Sequence, residues 1–453
     1  MVINMAYDLR TKIRTEFNRI YAGQDENPLF LLRKEALNRF EETNFPNLKN
    51  EEWKYTNVSF VNKHDFTVSL DNHSSPLSEA EILPFIFANI HANLLTFVNG
   101  FYSKELSKII TNNSGIKICS LSDAIATGDQ MALLNASQSM IFSQDAFSAV
   151  NISLWQDGAY IFIPDNTVID EPVHILQLND TRNSPVLSNP RNLIIVGENS
   201  HCKVIESAFN IGQNPGFTNS VTEIYLGDTS VFDYNKLQND DTEHYYIGSS
   251  YITQHRNTVF NSSTISLKGT FTRNNLTSVL TGTNSESHFN GFYFMDGKDF
   301  VDNHTLADHA LPYCTSNENY RGILDNEARA VFNGKIIVRP NAQKTIAYQS
   351  NKNILLSDEA VINTKPQLEI FADDVKCSHG ATSGFLDKNA LFYLLSRGIS
   401  QEKARAILLN AFASEIFDKI NIPGLKENLK LRVAERLNLS DVFIDEALEH
   451  IND

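Results

Sequence analysis

Cys377 and His379 stand two residues apart in the run from Lys365 to Ser400, KPQLEIFADDVKCSHGATSGFLDKNALFYLLSRGIS, just after the acidic pair Asp373 and Asp374. Thiolate, imidazole and carboxylate are the groups that hold a soft metal or a sulfur species. Alternate side chains of an extended strand point the same way, so the Cys-x-His spacing puts both groups on one face. The pair also fits a plain packing role, because a free Cys is among the most buried residue types. Asp373 and Asp374 have the chemistry of a base or of hard-metal ligands. As strand neighbours they would face opposite ways, which favours a turn or a charge pairing with Lys376.

A second polar cluster lies in VDNHTLADHALPYC, with His304, Asp308, His309 and Cys314. Read naively it imitates a metal site. The region reads as strands and turns, however, so the spacing has no mechanical support, and these residues are expected to line a sheet face. The glycines form neither a G-x-x-x-x-G-K-S/T loop nor a G-x-G-x-x-G turn, so no phosphate-binding motif is present. Cys119, Cys202, Cys314 and Cys377 are scattered without a C-x-x-C pair. Free thiols are expected, and too few ligands for a cluster held by this chain alone.

At 453 residues the chain is long enough for two or three domains, and 42% hydrophobic with 20% charged residues is ordinary for a folded protein. The formal net charge of −16 opposes nucleic-acid backbones and anionic membranes. Residues 1–10 do not resemble a signal peptide, and the most hydrophobic window, Phe85 to Val98, is short and interrupted by Asn89, His91 and Asn93. A cytoplasmic protein, with no membrane and no nucleic acid as partner, is the expectation.

Three regions must position these groups. Residues 1–93 read as helical: Leu9, Ile13, Phe17 and Ile20 share one face, as do Leu29, Leu32, Ala36 and Phe40, with Pro28 at a helix start. Residues 94–386 are β, with a mixed lead-in to about 150. Short apolar runs such as 159–163, 173–176, 193–196, 222–226, 264–267 and 335–338 are separated by Gly, Asn, Asp and Pro. That pattern suits a sandwich, a barrel or a solenoid. We favour a solenoid of parallel strands, although no strict repeat separates the three. Residues 387–453 read as a small helical domain, with Ser400 and Ser440-Asp441 as caps. In it, Leu391, Leu394, Ile407 and Phe412 are expected to be mainly core.

Several blocks, in order, resemble the SufB/SufD family of the SUF iron–sulfur cluster assembly machine. They are Glu51 to Thr56 (EEWKYT), Ala330 to Lys335, Ala342 to Thr345, Tyr348-Gln349, Lys365 to Asp374, Cys377 to Thr382 and Leu391 to Ile399. Ser378 and Gly380 stand where the SufB branch carries acidic residues, so the likeness is to the SufD branch. The resemblance implies a mainly β fold, a right-handed parallel β-helix flanked by N-terminal and C-terminal α-helical regions. It implies a non-catalytic scaffold subunit with no turnover of its own. Such a subunit pairs with a SufB-like homologue and with a SufC-like ABC ATPase, to build and transfer a transient iron–sulfur cluster. It places His379, with Cys377, at the cluster or sulfur site of the subunit interface, His379 being an iron ligand shared with the partner. ATPase closure would then open a buried His379 region. The ATPase contact falls on the C-terminal helical region, around Phe392 to Phe417, with Phe392, Arg397, Gly398 and Ile399 as its candidate residues. Reduced flavin is admitted as a ligand of the whole assembly, though no residue here points to it, and Trp53 carries no chemistry beyond packing. The readings set against this are a β-helix carbohydrate-active enzyme and a structural β-solenoid. Exposed edge coils would let an isolated chain homodimerise.

Overall fold

The computed structural model describes residues 8–23, 28–71, 76–87, 89–111, 113, 115–135 and 145–438. The expected cap at Ser440 and Asp441 lies outside them. From Ala159 onward the chain winds as a parallel β-solenoid of two facing sheets, one of eleven strands and one of ten. Successive strands alternate between the sheets, and each pairs in parallel with the strand one coil away. Thus Phe300–His309 pairs with Arg329–Val338, and Ile346–Leu355 with Lys376–Gly384.

Asparagine makes many of the tight corners, with Thr229, Tyr313 and Lys344 holding the same conformation at others. Asn166, Asn199, Asn257, Asn284 and Asn326 all have φ between 51° and 59°. Asn tolerates this left-handed region because its short amide bonds locally. The corner amides also stack, with Asn199 donating to Asn166 at 3.1 Å and Asn284 to Asn257 at 3.3 Å.

The lumen holds one long apolar cluster, running from Leu95 and Ile161 through Phe232, Phe260 and Phe289 to Phe332 and Ala347. Beside it lies a polar seam. Glu206, buried, accepts from Thr222 at 2.8 Å, Tyr234 at 2.5 Å and Tyr246 at 3.2 Å, with the Lys236 ammonium 3.9 Å away. Buried polar groups persist only where they are paired in this way.

Each helical region covers the outer face of one sheet. The N-terminal helix Leu9–Ile20 buries Leu9, Ile13 and Phe17, as its spacing predicts. With helix Pro28–Thr43 and the Trp53 segment it packs against Phe217, Tyr245 and Phe271 of the eleven-stranded sheet. The C-terminal helices Gln401–Phe417 and Pro423–Arg436 lay Leu409, Ala413, Ile416, Phe417, Leu425 and Leu429 on Ile205, Leu237, Ile265 and Phe292 of the ten-stranded sheet.

Leu391 and Leu394 are half-buried, and helix Lys388–Ser396 fully buries none of its residues. Ile407 and Phe412 are half-buried.

Candidate functional site at the open end of the solenoid

The solenoid stops at Val361–Ile370 in one sheet and Lys376–Gly384 in the other, and each of these is a sheet edge. Among the described strands no further coil covers them. Lys376–Gly384 carries both Cys377 and His379, in register with Ala347 and Gln349. Ala347 and Gln349 face the lumen and are buried. Cys377 packs against the same lumen cluster, and by alternation His379 lies on that face too. The shared face expected of Cys-x-His is therefore present.

His379 is exposed in the chain taken alone, the burial that the resemblance implied being that of the paired assembly. The cause is positional: a lumen residue of the last coil has a rung below it and none above. Cys377 is half-buried, and burial pushes its thiol up from its ordinary range, with a bond from the Ala347 backbone opposing. Burial holds Cys377 as a thiol in the absence of a cation.

On the outer face of the same sheet a groove of about 920 Å³ is lined by Asn290, Asn319, Tyr348 and Ser378, reaches His379, and is bordered by Asp418, Lys419 and Asn421. The segment after helix Gln401–Phe417 thus faces the strand that carries His379 across this groove. In the lumen, Gln349 Nε2 donates to Glu318 Oε2 at 2.8 Å, and Thr305 Oγ1 donates to the same oxygen at 2.7 Å. Burial pushes the Glu318 carboxyl up to about 7, against the pull of those two bonds. Sequence reasoning missed Glu318, and its only signal was a place one coil before Gln349.

The other candidates are separated from this end. Asp373 and Asp374 sit in the exposed turn between the last two strands, and Asp374 pairs with Lys344 instead of the expected Lys376. His304 lies on the outer face, 3.0 Å from Asp302 and 3.4 Å from Glu52. Asp308 binds Arg339 at 2.6 Å. His309 faces the lumen against Ser316, at 2.9 Å, and burial holds its imidazole down at about 4. Cys314 is buried. These four do not converge, and among the described residues no group of three or more His, Cys, Asp or Glu side chains is placed to hold a metal ion.

The Glu51–Thr56 block proves to be a clamp. Trp53 is buried with the Arg273 guanidinium 3.7 Å over its ring. Glu52 accepts from Asn333 at 3.0 Å, and Glu51 pairs with Lys365. One short segment so touches strands from 271 to 370, and through Lys365 it reaches the edge strand. On the exposed helix Lys388–Ser396, Phe392 is 72% exposed. Arg397 lies 4.9 Å over the Tyr393 ring and bonds its hydroxyl at 2.9 Å. Gly398 ends the helix with φ 82°, a conformation that favours glycine, and Ile399 is half-buried beside it. No helix among the described residues is long and apolar enough to cross a membrane.

Comparison with known proteins agrees with this architecture. The family model described as SUF system FeS cluster assembly, SufBD core domain, matches residues 177–412, and the SufBD protein N-terminal region matches residues 11–175. The chain is 32% identical over 423 residues to an iron–sulfur cluster assembly SufBD family protein of Synechocystis, covering 92% of each chain. It is 30% identical over 407 residues to the iron–sulfur cluster assembly protein SufD of Escherichia coli, covering 89% of this chain and 92% of that one. It is also 26% identical over 410 residues to the chloroplastic protein ABCI7 of Arabidopsis thaliana, covering 86% and 82%. With two family models spanning nearly its whole described length, and relatives at 30–32% identity matched over about nine-tenths of each chain, the chain belongs to the SufB/SufD family of SUF-system iron–sulfur cluster assembly proteins.

Proposed function

We propose that this chain is a cytoplasmic scaffold subunit that completes its site by edge pairing. The observation that carries the reading is His379, an imidazole exposed on the lumen face of an unpaired edge strand. A homologous solenoid of the SufB type pairs with the edges Val361–Ile370 and Lys376–Gly384. It buries His379 in the seam and supplies the ligands this chain lacks. The cargo is a nascent iron–sulfur cluster, with His379 as this chain's iron ligand. Cys377 is its neighbouring thiol, turned to thiolate only when a metal is close.

Exposed apolar side chains at the same end, Tyr348, Ile370, Phe371 and Phe385, fit an interface. Unpaired edges with that patch also favour a homodimer when the chain is isolated. Phe392, Arg397, Gly398 and Ile399 form the docking surface for an ABC-type ATPase, which supplies the nucleotide chemistry this chain has no loop for. The chain itself turns nothing over. Family membership favours this reading over a carbohydrate-active solenoid.

The test is an anaerobic pull-down of the tagged chain from its native cytosol, followed by cluster reconstitution with His379→Ala and Cys377→Ser. Recovery of an ABC ATPase and a homologous solenoid, with cluster loading lost in His379→Ala, is the expected result. Recovery of neither from folded protein would overturn the reading.

A further inference from the structure

Beneath His379 the lumen holds an amide oxygen with nothing to accept. Glu318, Gln349 and His379 are successive rungs of one register column on the inner face. Rungs of a sheet lie about 4.8 Å apart. The amide nitrogen of Gln349 is committed to Glu318 Oε2 at 2.8 Å. An amide presents its oxygen on the side away from its nitrogen, so Gln349 Oε1 is turned from that carboxylate oxygen. It is buried and has no donor. Gly334, across the lumen, is what lets the amide lie there: a Cβ at that position would stand 2.2 Å from Gln349 Nε2.

A buried acceptor without a donor marks either strain or a partner still to come. His379 is the next rung on the same face. A neutral imidazole has one N–H to give and one lone pair to keep, and an imidazole that binds metal nearly always gives its N–H to a fixed acceptor. We propose that Gln349 is the positioning residue for His379. Its Oε1 accepts the ring N–H when the edge is capped, leaving the other ring nitrogen unprotonated and aimed at the seam. Glu318 acts one step further back, holding the Gln349 amide the right way round. This rests on the reading of His379 as an iron ligand.

The test uses the chain purified anaerobically in complex with its homologous solenoid subunit, with Fe²⁺ alone as the probe in equilibrium dialysis. Gln349→Met keeps the volume and removes the acceptor, Gln349→Glu restores an acceptor, and thermal melting checks the fold. The Met variant is expected to melt normally and to lose about tenfold or more in Fe²⁺ affinity, with recovery in the Glu variant. Should the Met variant not fold, Gly334→Ala, which crowds the amide nitrogen, is expected to produce the same loss. Fe²⁺ affinity unchanged in Gln349→Met while His379→Ala loses it would overturn the positioning role alone. An equal loss in the Met and Glu variants would also overturn it, as lost packing. Normal loading of His379→Ala would instead remove the ligand reading on which it stands.

Discussion

Thr56 donates its hydroxyl to Asp302 at 2.5 Å, fastening the N-terminal region to a buried carboxylate on the outer face of strand Phe300–His309. Asp302 is also 2.6 Å from Arg273, which stacks on Trp53. Burial pushes the Asp302 carboxyl up, but Arg273, His304 and Thr56 outweigh it and hold the group below its usual range. Asp302→Ala would strand the Arg273 charge, and breaking a buried pair from one side costs about 3–5 kcal/mol. Trp53→Ala removes the ring that Arg273 lies on, for a similar loss of about 3–5 kcal/mol. The two share a partner, so the double variant should lose less than both combined. Urea unfolding measures all three, and strict additivity would show that the clamp is not one unit.

Glu318 gives the fold a pH dependence. Its folded-state carboxyl stands at about 7, above the ordinary value near 4.3 of an unfolded chain. The folded state therefore binds the proton more tightly. The stabilisation is fully present below about pH 4 and is lost as pH rises through about 7. For a fully buried group the span is on the order of a few kcal/mol. Glu318→Gln should flatten the fall in melting temperature between roughly pH 5 and pH 8. A wild-type and variant pair with parallel melting curves across that range would contradict it.

How far the sequence reveals this fold depends on which half of a strand is read. The stretch 335–338 is visible as a strand, yet the strand runs Arg329–Val338, and its first half passes for a turn because of Asn333 and Gly334. The same holds for Phe271–Leu280, with Asn274 and Asn275, and for Thr315–Leu324, with Asn317 and Asn319. Strands with a polar seam on one face and a polar groove on the other lose both the alternation and the apolar run that mark a strand. The coil repeat is hidden for a related reason. Bonded rungs are separated by 28 residues at Asp233 and Asn261 but 31 at Glu318 and Gln349. No fixed period exists, although Asn before Ser or Thr at 166, 199, 257 and 284 marks the corners. His379 and Cys377 were legible because their spacing is local. Glu318 was not, because a register column joins residues that sequence separates.

Arg321 ties the C-terminal helices to the strand that carries Glu318. It is buried, lies 4.8 Å over the Phe412 ring, donates to the Phe412 carbonyl at 3.3 Å and pairs with Glu415. Arg321→Met keeps much of the volume and removes the charge and donors. A loss of about 2 kcal/mol is expected from the ring contact and charged hydrogen bonds together. It should appear as faster limited proteolysis around residues 396–401, with cleavage in the solenoid unchanged. Equal acceleration in both regions would mean that the helices and solenoid open as one unit.

The free edge can be blocked without touching the coil behind it. The Lys376 amide donates to the Thr345 carbonyl, so even-numbered amides of the last strand face the preceding coil. Successive amides of a strand point to opposite sides, so those of Cys377, His379 and Ala381 face the open edge. Proline carries no N–H and is tolerated on an edge strand where that N–H would meet solvent. Ala381→Pro should therefore melt like the wild type yet fail to self-associate or to hold a homologous solenoid. Gly380→Pro removes a bond inside the coil and should melt earlier. Sedimentation velocity of the isolated chain, with capture of the homologous subunit, reads both. Full association of Ala381→Pro would mean that partners join through the exposed side chains of Tyr348, Phe371 and Phe385 and leave the strand edge unpaired.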